Sequence, residues 1–361
     1  MSINCHIKVE RNDFTLDVEL SLASSGITGI TGPSGSGKTT LLRTIAGLEK
    51  NTGSYLKAGD SVWHDGDYSV PAHQRKVGYV FQEASLFSHL SVEDNINYGL
   101  NRTSENQRKI PIDHAIELLG IGSLLKRKTW QLSGGEKQRV AIVRALAVSP
   151  KILLMDEPLS ALDRARKQEF MPYLENLHRA LDTPIIYVSH SVDELARLAD
   201  QLILLDKGKV IASGETADML TRSDLPLAHG DDASSLISAH IAGHDDKFKL
   251  THIDFSGGRF TVPKRDLPVQ SAVRLKIAAR DVSLTKERQS GTSILNIVPV
   301  TVTEITPEGE SQVMVKLDAN GTPLLSRITR KSAQLLELIK GSNLFAQIKT
   351  VALWNSDEYR Q

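Results

Sequence analysis

The nine residues from Gly32 to Thr40, GPSGSGKTT, constrain the fold of this chain more than any other segment. They follow a short apolar run, Ile27–Thr31, and lead into a helical pattern that ends at Gly47. This order of strand, loop and helix, with the match to G-x-x-x-x-G-K-S/T, is typical of a loop that surrounds a phosphate chain with backbone N–H groups. The alternative, a plain turn rich in Gly and Ser, does not explain a match at every position and on both flanks. The segment therefore predicts a phosphate-binding loop in an α/β layer fold.

The residue types in the loop indicate how it would hold a nucleotide. The Lys38 side chain supplies a positive charge to the β- and γ-phosphates, and the Thr39 hydroxyl can ligate Mg²⁺. Backbone N–H groups of the loop and of the helix start complete the site. We expect the nucleotide to contact Gly32, Pro33, Ser34, Gly35, Ser36, Gly37, Lys38, Thr39 and Thr40.

An acidic pair, Asp156-Glu157, ends a second apolar run at residues 152–155. Because the carboxyl ends of parallel strands meet at one edge of a sheet, this pair should lie beside the phosphate loop. There Asp156 is placed to hold Mg²⁺ through water, and Glu157 to accept a proton from the attacking water. Two acids after a strand are, taken alone, more often an ordinary solvated strand end. The phosphate loop reverses that interpretation.

The composition excludes several classes of protein. The 361 residues carry 43 Lys and Arg against 43 Asp and Glu, and this zero net charge argues against a nucleic-acid partner and a polybasic membrane binder. Cys5 is the only cysteine, so a disulfide framework and a cysteine metal cluster are both excluded. The first residues lack the apolar core of a signal peptide, and no uncharged apolar run reaches the ~18 residues of a membrane span. We therefore expect a cytoplasmic protein.

At about 100–200 residues per domain, the length predicts two or three domains. Uninterrupted apolar runs at 27–31, 77–81, 152–155, 185–189 and 202–205 favour strands buried on both faces of a largely parallel sheet. The composition changes around residues 226–250, and beyond it the apolar residues recur with period two between turn signals such as Asn320-Gly321. The predicted boundaries are 1–228 for an α/β ATP-binding domain, 229–290 for a connector and 291–355 for a small β-rich domain.

The remaining motifs resemble those of one protein family. The segments LSGGEKQRVAIVRAL from Leu132, MDEPLSALD from Met155 and VSH ending at His190 resemble the signature sequences of ATP-binding-cassette (ABC) ATPases. The resemblance covers about residues 1–225. It implies an α/β P-loop ATPase, that is, an ABC cassette with a helical signature subdomain. The motif residues follow in the family's order: Lys38, Gln82, Ser133, Asp156, Asp163 and His190.

The resemblance implies roles for residues outside the phosphate loop. Glu157 is expected to activate the attacking water, Gln82 to sense Mg²⁺ and that water, and His190 to contact the γ-phosphate. The expected Mg²⁺ contacts are then Thr39, Gln82 and Asp156. The adenine should stack on an aromatic ring, for which Phe14 is the nearest candidate. Arg11 is an alternative, and a core position for Phe14 is another.

The signature also has a physical interpretation. Ser133, Gly134, Gly135 and Glu136 have the S-x-x-E form of a capping box, and two glycines at a helix start expose N–H groups toward an anion. In the family this helix end binds the γ-phosphate of the nucleotide held by a second subunit, and Asp163 shapes the same interface. With one phosphate loop and one signature, the chain is expected to form a head-to-tail homodimer that closes on two ATP molecules. Glu136 stands where the family commonly has Gln, and Glu also completes the box.

The last third of the chain resembles a second family. The segments SILNIVPVTVTEI from Ser293 and ITRKSAQLLELIKGSNLFAQIKTVAL from Ile328 resemble the small, OB-like molybdate-binding β-barrel of molybdate-responsive proteins. The family's opening usually reads Ser-Ala-Arg-Asn, and this chain lacks the arginine. Hydroxyls, amides and N–H groups hold an oxyanion in such sites, although Ser and Asn at a strand start are usually turn residues. The candidate contacts for molybdate are Ser293, Asn296, Lys331, Ser332 and Lys349.

Together the resemblances imply the ATP-hydrolysing subunit of an ABC importer for molybdate, with ATP and Mg²⁺ as cofactors. The expected partners are a second copy of the chain, integral membrane permease subunits and, indirectly, a periplasmic anion-binding protein. The expected location is the cytoplasmic face of the inner membrane, as a peripheral protein. The alternatives are an importer ATPase for sulfate, thiosulfate or tungstate, an ABC ATPase outside transport, and an oxyanion sensor. One set of cassette motifs and no long coiled coil argue against translation and repair ATPases.

Overall fold

A computed structural model describes residues 2–11, 13–49 and 53–355 of the chain. The chain folds into two compact units, Met1–Gly214 and Glu215–Gln361. No helix in these described ranges combines the length and the hydropathy that crossing a membrane requires.

The first unit alternates strands and helices, as the sequence predicts. Its elements in chain order are β1 (Ile3–Arg11), β2 (Phe14–Leu22), β3 (Ile27–Thr31), α1 (Lys38–Ala46), β4 (Tyr55–Ala58), β5 (Ser61–Asp65), β6 (Tyr68–Ser69), β7 (Val77–Val80), α2 (Val92–Leu100), α3 (Ile112–Leu118), α4 (Gly134–Leu146), β8 (Ile152–Asp156), α5 (Arg164–Ala180), β9 (Ile185–Val188), α6 (Val192–Leu198), β10 (Gln201–Asp206) and β11 (Lys209–Glu215).

A six-stranded sheet with the order β11-β10-β3-β9-β8-β7 forms the centre of this unit. The strands from β10 to β7 pair in parallel, and β3, β8 and β9 are buried at every position. This confirms the prediction of burial on both faces for these three strands, whereas β7 alternates between buried and partly buried positions. The pairing places the carboxyl ends of β3, β7, β8 and β9 at one edge of the sheet, where ligands bind in α/β folds.

An antiparallel sheet with the order β2-β1-β4-β5-β6 forms a second layer of the unit. Its apolar face and that of the central sheet share one core with α1, to which this helix contributes Leu41, Leu42 and Ile45. Burial of α1 from two sides holds its amino end, and therefore the phosphate loop, against the edge of the central sheet.

The second unit is rich in antiparallel strands. Its elements are α7 (Thr216–Leu220), β12 (Ser234–Asp245), β13 (Leu250–Phe255), β14 (Gly258–Pro263), β15 (Ala272–Ala278), β16 (Val282–Thr285), β17 (Asn296–Glu308), β18 (Gln312–Ala319), β19 (Thr322–Thr329), α8 (Arg330–Leu335), β20 (Asn343–Ile348) and β21 (Ala352–Asn355). One sheet has the order β14-β13-β12-β15-β21 and the other β16-β20-β17-β18-β19. The predicted Asn320-Gly321 hairpin joins β18 to β19, with φ of 50° and 88° at its two central residues.

The structure differs from the expected connector at residues 229–290. This segment contributes β12 to β15 to one sheet and β16 to the other, and β21 closes the first sheet from the far end of the chain. Ile237, Ile253 and Phe260 from the segment lie in one core with Val300 and Val315 from β17 and β18. The physical reason is that neither sheet can bury its apolar face without the other. The small barrel expected at 291–355 is thus part of a larger β unit.

Candidate active site

The phosphate loop is built on glycines that no other residue could replace without strain. It spans the six residues between the end of β3 and the start of α1, and Gly32 and Gly37 have φ of 149° and 102°. A Cβ atom on Gly32 would lie 2.0 Å from the backbone oxygen of Leu205 in β10. Only glycine permits this left-handed path and this close approach. The loop therefore lies tightly against the edge of the central sheet.

Two side chains in the loop have the properties that a phosphate group requires. Lys38 is a buried residue, and its ammonium group donates hydrogen bonds to the backbone oxygens of Gly32 and Pro33, at 2.8 and 2.9 Å. Desolvation lowers the pKa of Lys38, while the nearby Glu157 and Asp156 carboxylates act in the opposite direction. The buried Oγ of Ser36 finds no hydrogen-bond partner among the described residues. A buried hydroxyl without a partner is unfavourable by itself and fits a site made for an anion.

The Asp156 carboxylate joins the phosphate loop to the neighbouring strand. Its Oδ1 accepts a hydrogen bond from Thr39 Oγ1 at 3.1 Å, and its Oδ2 accepts one from the Tyr79 hydroxyl at 3.1 Å. Burial raises the pKa of Asp156, and these two hydrogen bonds partly offset that effect. Burial beside Asp156 also raises the pKa of Tyr79. Tyr79 was not predicted from the sequence, because nothing in the alternation of β7 distinguishes it from a packing residue.

The oxygen atoms of Thr39 and Asp156 fit Mg²⁺ by their chemistry. This ion prefers oxygen ligands and usually binds through one or two carboxylates together with the phosphates of a nucleotide. Within the described ranges, no group of three or more His, Cys, Asp or Glu side chains could hold a metal.

Glu157 and His190 lie together beside this carboxylate. The Oε2 atom of Glu157 is 3.2 Å from Nδ1 of His190, and their side chains are 22% and 60% exposed. Glu157 has a φ of 45°, and its N–H donates to the backbone oxygen of Val188, at the end of β9. Backbone of this kind is uncommon outside glycine and clusters at functional sites. The strand ends thus bring together two residues that are 33 positions apart in sequence.

The structure places Gln82 two residues beyond β7, at the same sheet edge, with an exposed side chain. Side chains from α4 hold its loop. Gln138 Nε2 donates to the backbone oxygen of Phe81 at 3.3 Å, and Arg144 donates to those of Ala84 and Ser85 at 3.3 and 3.0 Å. The loop that carries Gln82 is therefore fixed to α4.

The signature opens α4 with the capping box that the sequence predicts. The Ser133 N–H donates to Glu136 Oε2 at 2.7 Å, and Ser133 Oγ accepts from the Glu136 N–H at 3.3 Å. These contacts lower the pKa of Glu136. Ser133 and Gly134 are exposed and Gly135 is partly exposed, so the amino end of this helix is open to solvent. Such an end attracts anions through its unpaired N–H groups and the helix dipole.

Two further candidates occupy defined positions. Asp163 is the N-cap of α5, where its Oδ1 accepts a hydrogen bond from the Arg166 N–H at 2.9 Å. The ring of Phe14 is partly buried against the phosphate loop, since a Cβ atom on Gly37 would lie 2.8 Å from its Cζ. This position suits both interpretations of Phe14, as a stacking surface and as a core residue.

The structure does not bring the five oxyanion candidates together within one chain. Ser293, Asn296 and Lys349 lie at the start of β17 and the end of its partner β20. Lys331 and Ser332 follow the end of β19. That end pairs with the start of β18, which in turn pairs with the end of β17, so these two residues lie near the opposite end of β17. The Asn296 amide is also occupied: Oδ1 accepts from the Thr261 N–H at 2.7 Å and Nδ2 donates to the Thr261 oxygen at 3.2 Å.

Comparisons with known proteins find relatives along nearly the whole chain. The profile of the ABC transporter family matches residues 15–160, and that of the TOBE domain matches residues 292–353. The molybdenum import ATP-binding protein ModC of Albidiferax ferrireducens is 50% identical over 353 residues, which cover 97% of this chain and 96% of that protein. The molybdenum import ATP-binding protein ModC of Thiobacillus denitrificans is 50% identical over 353 residues, 98% of each chain.

A solved structure supports the same family. The structure of cbiO1 from Clostridium perfringens, described as part of the ABC transporter complex cbiONQ, aligns with a TM-score of 0.53 and 27% identity over 62% of this chain and 91% of that one. Taken with the two relatives that are 50% identical over almost their full length, it shows more than a shared fold. The chain therefore belongs to the ABC transporter family, among the ATP-binding proteins with a C-terminal TOBE domain that include the molybdenum import ATP-binding proteins.

Proposed function

We propose that this chain is the ATP-hydrolysing subunit of a membrane importer for molybdate. The observation that carries the proposal is the group of phosphate-binding and acidic side chains that meets at one edge of the central sheet. It lies in a chain whose relatives at 50% identity are named molybdenum import ATP-binding proteins. The group consists of Ser36, Lys38, Thr39, Asp156, Glu157 and His190.

Nucleotide binding begins with the phosphate loop. The backbone N–H groups of residues 32–40 and the Ser36 hydroxyl surround the β- and γ-phosphates, and the Lys38 ammonium group turns from two backbone oxygens toward them. The exchange is favourable because a charged phosphate oxygen is a stronger acceptor than a neutral carbonyl. Phe14, beside Gly37, offers its ring to the adenine.

The Mg²⁺ that accompanies ATP would be held by Thr39 and Asp156, with Gln82 on the adjacent loop. It would supply positive charge that offsets the negative charge developing on the phosphates during phosphoryl transfer. Before it binds, the Thr39 hydroxyl and the Asp156 carboxylate are already 3.1 Å apart. Tyr79 fixes the second carboxylate oxygen, so that the protein supplies a prepared pair of ligands.

Hydrolysis uses the pair of side chains next to this site. Glu157 accepts the proton of the water that attacks the γ-phosphate, as a general base within hydrogen-bond reach of its substrate does. His190, 3.2 Å from Glu157 Oε2, orients that carboxylate and presents its ring to the γ-phosphate. Gln82 orients the same water from the neighbouring strand end.

The second half of each nucleotide site comes from another copy of the chain. The exposed amino end of α4, with Ser133, Gly134 and Gly135, has the geometry of an anion site, and the chain contains one such signature and one phosphate loop. In a head-to-tail homodimer each signature covers the ATP held by the partner, and Asp163 contributes to the interface. Closure on ATP and reopening after hydrolysis then move membrane permease subunits at the cytoplasmic face of the inner membrane. A periplasmic anion-binding protein delivers the anion to that permease.

The second unit is proposed to bind or sense the transported anion. Ser293 and Lys349 lie near one end of β17, and Lys331 and Ser332 near the other, so one chain offers two partial sets of donors. Asn296 is committed to β14 through both of its amide atoms, which favours a structural role for it.

Uptake of labelled molybdate, with sulfate, thiosulfate and tungstate as competitors, tests the proposed cargo in cells that lack this chain. We expect molybdate uptake to disappear and sulfate uptake to persist. Loss of sulfate or thiosulfate uptake with unchanged molybdate uptake would replace the cargo and keep the ATPase. Loss of none of them would contradict the transport role, and purified protein without ATPase activity would contradict the enzymatic one.

A further inference from the structure

A buried carboxylate on α6, that of Glu194, receives three hydrogen bonds, from α5, from β9 and from the residue that follows β9. Its Oε1 accepts from the Lys167 ammonium group on α5 at 2.8 Å, and its Oε2 accepts from the Tyr187 hydroxyl at 2.9 Å and from Ser189 Oγ at 2.8 Å. The Glu194 side chain is 6% exposed and that of Lys167 is 23% exposed. A buried carboxylate is tolerated only when it is paired and hydrogen-bonded in this way.

These contacts surround the turn that carries His190. Ser189, on one side of His190, donates its hydroxyl to Glu194 and accepts the N–H of Ser191 at 3.0 Å. Ser191, on the other side, is the N-cap of α6 and accepts the N–H of Glu194 itself at 3.4 Å. Both neighbours of His190 are therefore tied to Glu194, while the imidazole remains exposed at the site.

The same carboxylate is connected to the amino end of α5. The Lys167 N–H donates to the backbone oxygen of Asp163 at 2.9 Å, within the first turn of that helix, and the Lys167 ammonium group reaches Glu194. A short series of direct contacts thus runs from Asp163 through Lys167 and Glu194 to Ser189, next to His190.

We propose that Glu194 is a positioning residue that holds the His190 turn, and that Lys167 couples this turn to the amino end of α5 at Asp163. The inference rests on the proposed function, in which Asp163 meets the partner subunit and His190 acts on ATP. Arrival of the partner at Asp163 then sets the position of His190 through two side chains. The hydrolytic step then depends on assembly of the dimer through these two side chains, neither of which belongs to the phosphate loop.

Steady-state ATP hydrolysis by the full-length chain tests this coupling. Glu194→Gln keeps the shape of the side chain but turns one acceptor oxygen into a donor, so it cannot accept from all three neighbours. We expect its kcat to fall by about tenfold or more with the KM for ATP within about twofold of wild type. Lys167→Met should lower kcat as well, the double variant should be no slower than Glu194→Gln alone, and Lys167→Arg should restore most of the rate.

The chain offers a matched control between the same two helices. Glu175 on α5 and Arg197 on α6 form a second partly buried ion pair, with Arg197 Nη2 3.1 Å from Glu175 Oε2. No hydrogen bond described for the two residues reaches the His190 turn. Glu175→Gln should lower the Tm and leave kcat within about twofold of wild type. A fall of kcat as large as that of Glu194→Gln would show that α5–α6 packing alone is responsible, and would overturn the proposal.

Other outcomes are equally decisive. An unchanged kcat in Glu194→Gln would overturn the positioning role. If Glu194→Gln does not fold, Lys167→Met decides, because it leaves the Tyr187 and Ser189 contacts in place: a loss of kcat at constant KM supports the coupling, and an unchanged kcat contradicts it. Absence of hydrolysis in the wild-type chain would instead contradict the proposed function and is thereby distinguished from failure of this inference.

Discussion

The Thr39 hydroxyl donates a hydrogen bond to Asp156 Oδ1 across 3.1 Å and so connects the first turn of α1 to the carboxyl end of β8. The two residues belong to different motifs, 117 positions apart in sequence. Their contact joins the phosphate loop to the acidic pair before any nucleotide is bound. A prepared arrangement of this kind reduces the ordering that ligand binding requires.

Asp156→Asn should stabilise the nucleotide-free protein. Burial raises the pKa of Asp156 in the folded state, so the stability linked to this group is fully present below its unfolded pKa and is lost as pH rises through the folded pKa. At about pH 8 the neutral Asn should therefore raise the Tm, and the gain should shrink as the pH falls through the folded pKa toward the unfolded pKa of the Asp156 carboxyl. Thermal unfolding without nucleotide measures this. A lower Tm for Asp156→Asn at the higher pH would contradict the prediction, and added MgATP should stabilise the wild type more than the variant.

Gly32→Ala and Gly35→Ala separate two causes of strain in the phosphate loop. The first places a Cβ atom 2.0 Å from the backbone oxygen of Leu205 and should cost more than about 3 kcal/mol of unfolding free energy. In Gly35→Ala the added Cβ atom meets no atom within 4 Å, but residue 35 keeps a φ of +79°. This variant should lose about 1 kcal/mol of unfolding free energy. Urea unfolding of both variants provides the comparison. Equal losses would show that backbone conformation alone, and not the approach to β10, requires glycine.

Phe14→Leu distinguishes a stacking surface from a core residue. Leucine keeps an apolar side chain against Gly37 but has no aromatic face, and stacking on a base contributes about 1–3 kcal/mol. We expect the affinity for ATP to fall by about tenfold and the Tm to change little. Titration with a fluorescent ATP analogue measures the affinity, with Phe14→Tyr as the control that keeps the ring. Wild-type affinity in Phe14→Leu would assign the residue to the core alone.

Asn296→Ala should destabilise the second unit whether or not it binds an oxyanion. The substitution leaves the backbone N–H and oxygen of Thr261 without their partners, at a cost of about 1–3 kcal/mol. Ser293→Ala, an exposed neighbour, should change the free energy of unfolding by less than about 0.5 kcal/mol. Denaturant unfolding gives both values. An Asn296→Ala variant as stable as wild type would remove the structural role and reopen the residue as an anion ligand.

Local motifs explain what the sequence could predict. The strand, loop and helix of the phosphate site are contiguous, so the residues from Ile27 to Gly47 contain the whole pattern, and the structure confirms β3 at its predicted bounds. The capping box of Ser133 and Glu136 is likewise complete within four residues. Such features depend on neighbours in sequence and not on tertiary pairing.

Contacts between distant residues explain what the sequence did not predict. The Tyr79 hydroxyl reaches Asp156 only because β7 pairs with β8, and the two residues are 77 positions apart. The donors to Glu194 likewise come from α5 and from β9 and the residue that follows it. The supposed connector at 229–290 contains strands such as β12, SSLISAHIAGHD, whose small and polar residues weaken the alternation. The strands of this segment are defined by pairing with other strands. One of them, β15, pairs with β21, which lies at the other end of the unit in sequence.

Molybdate entry in cells whose only copy of this chain carries Glu157→Gln tests the central claim most directly. The substitution keeps the shape of the side chain and removes the base, so ATP still binds but the proton of the attacking water has no acceptor. We predict that the variant accumulates to wild-type levels, binds ATP, and supports about a hundredfold less uptake of labelled molybdate than the wild type. Wild-type molybdate uptake with Glu157→Gln as the sole copy would contradict the account.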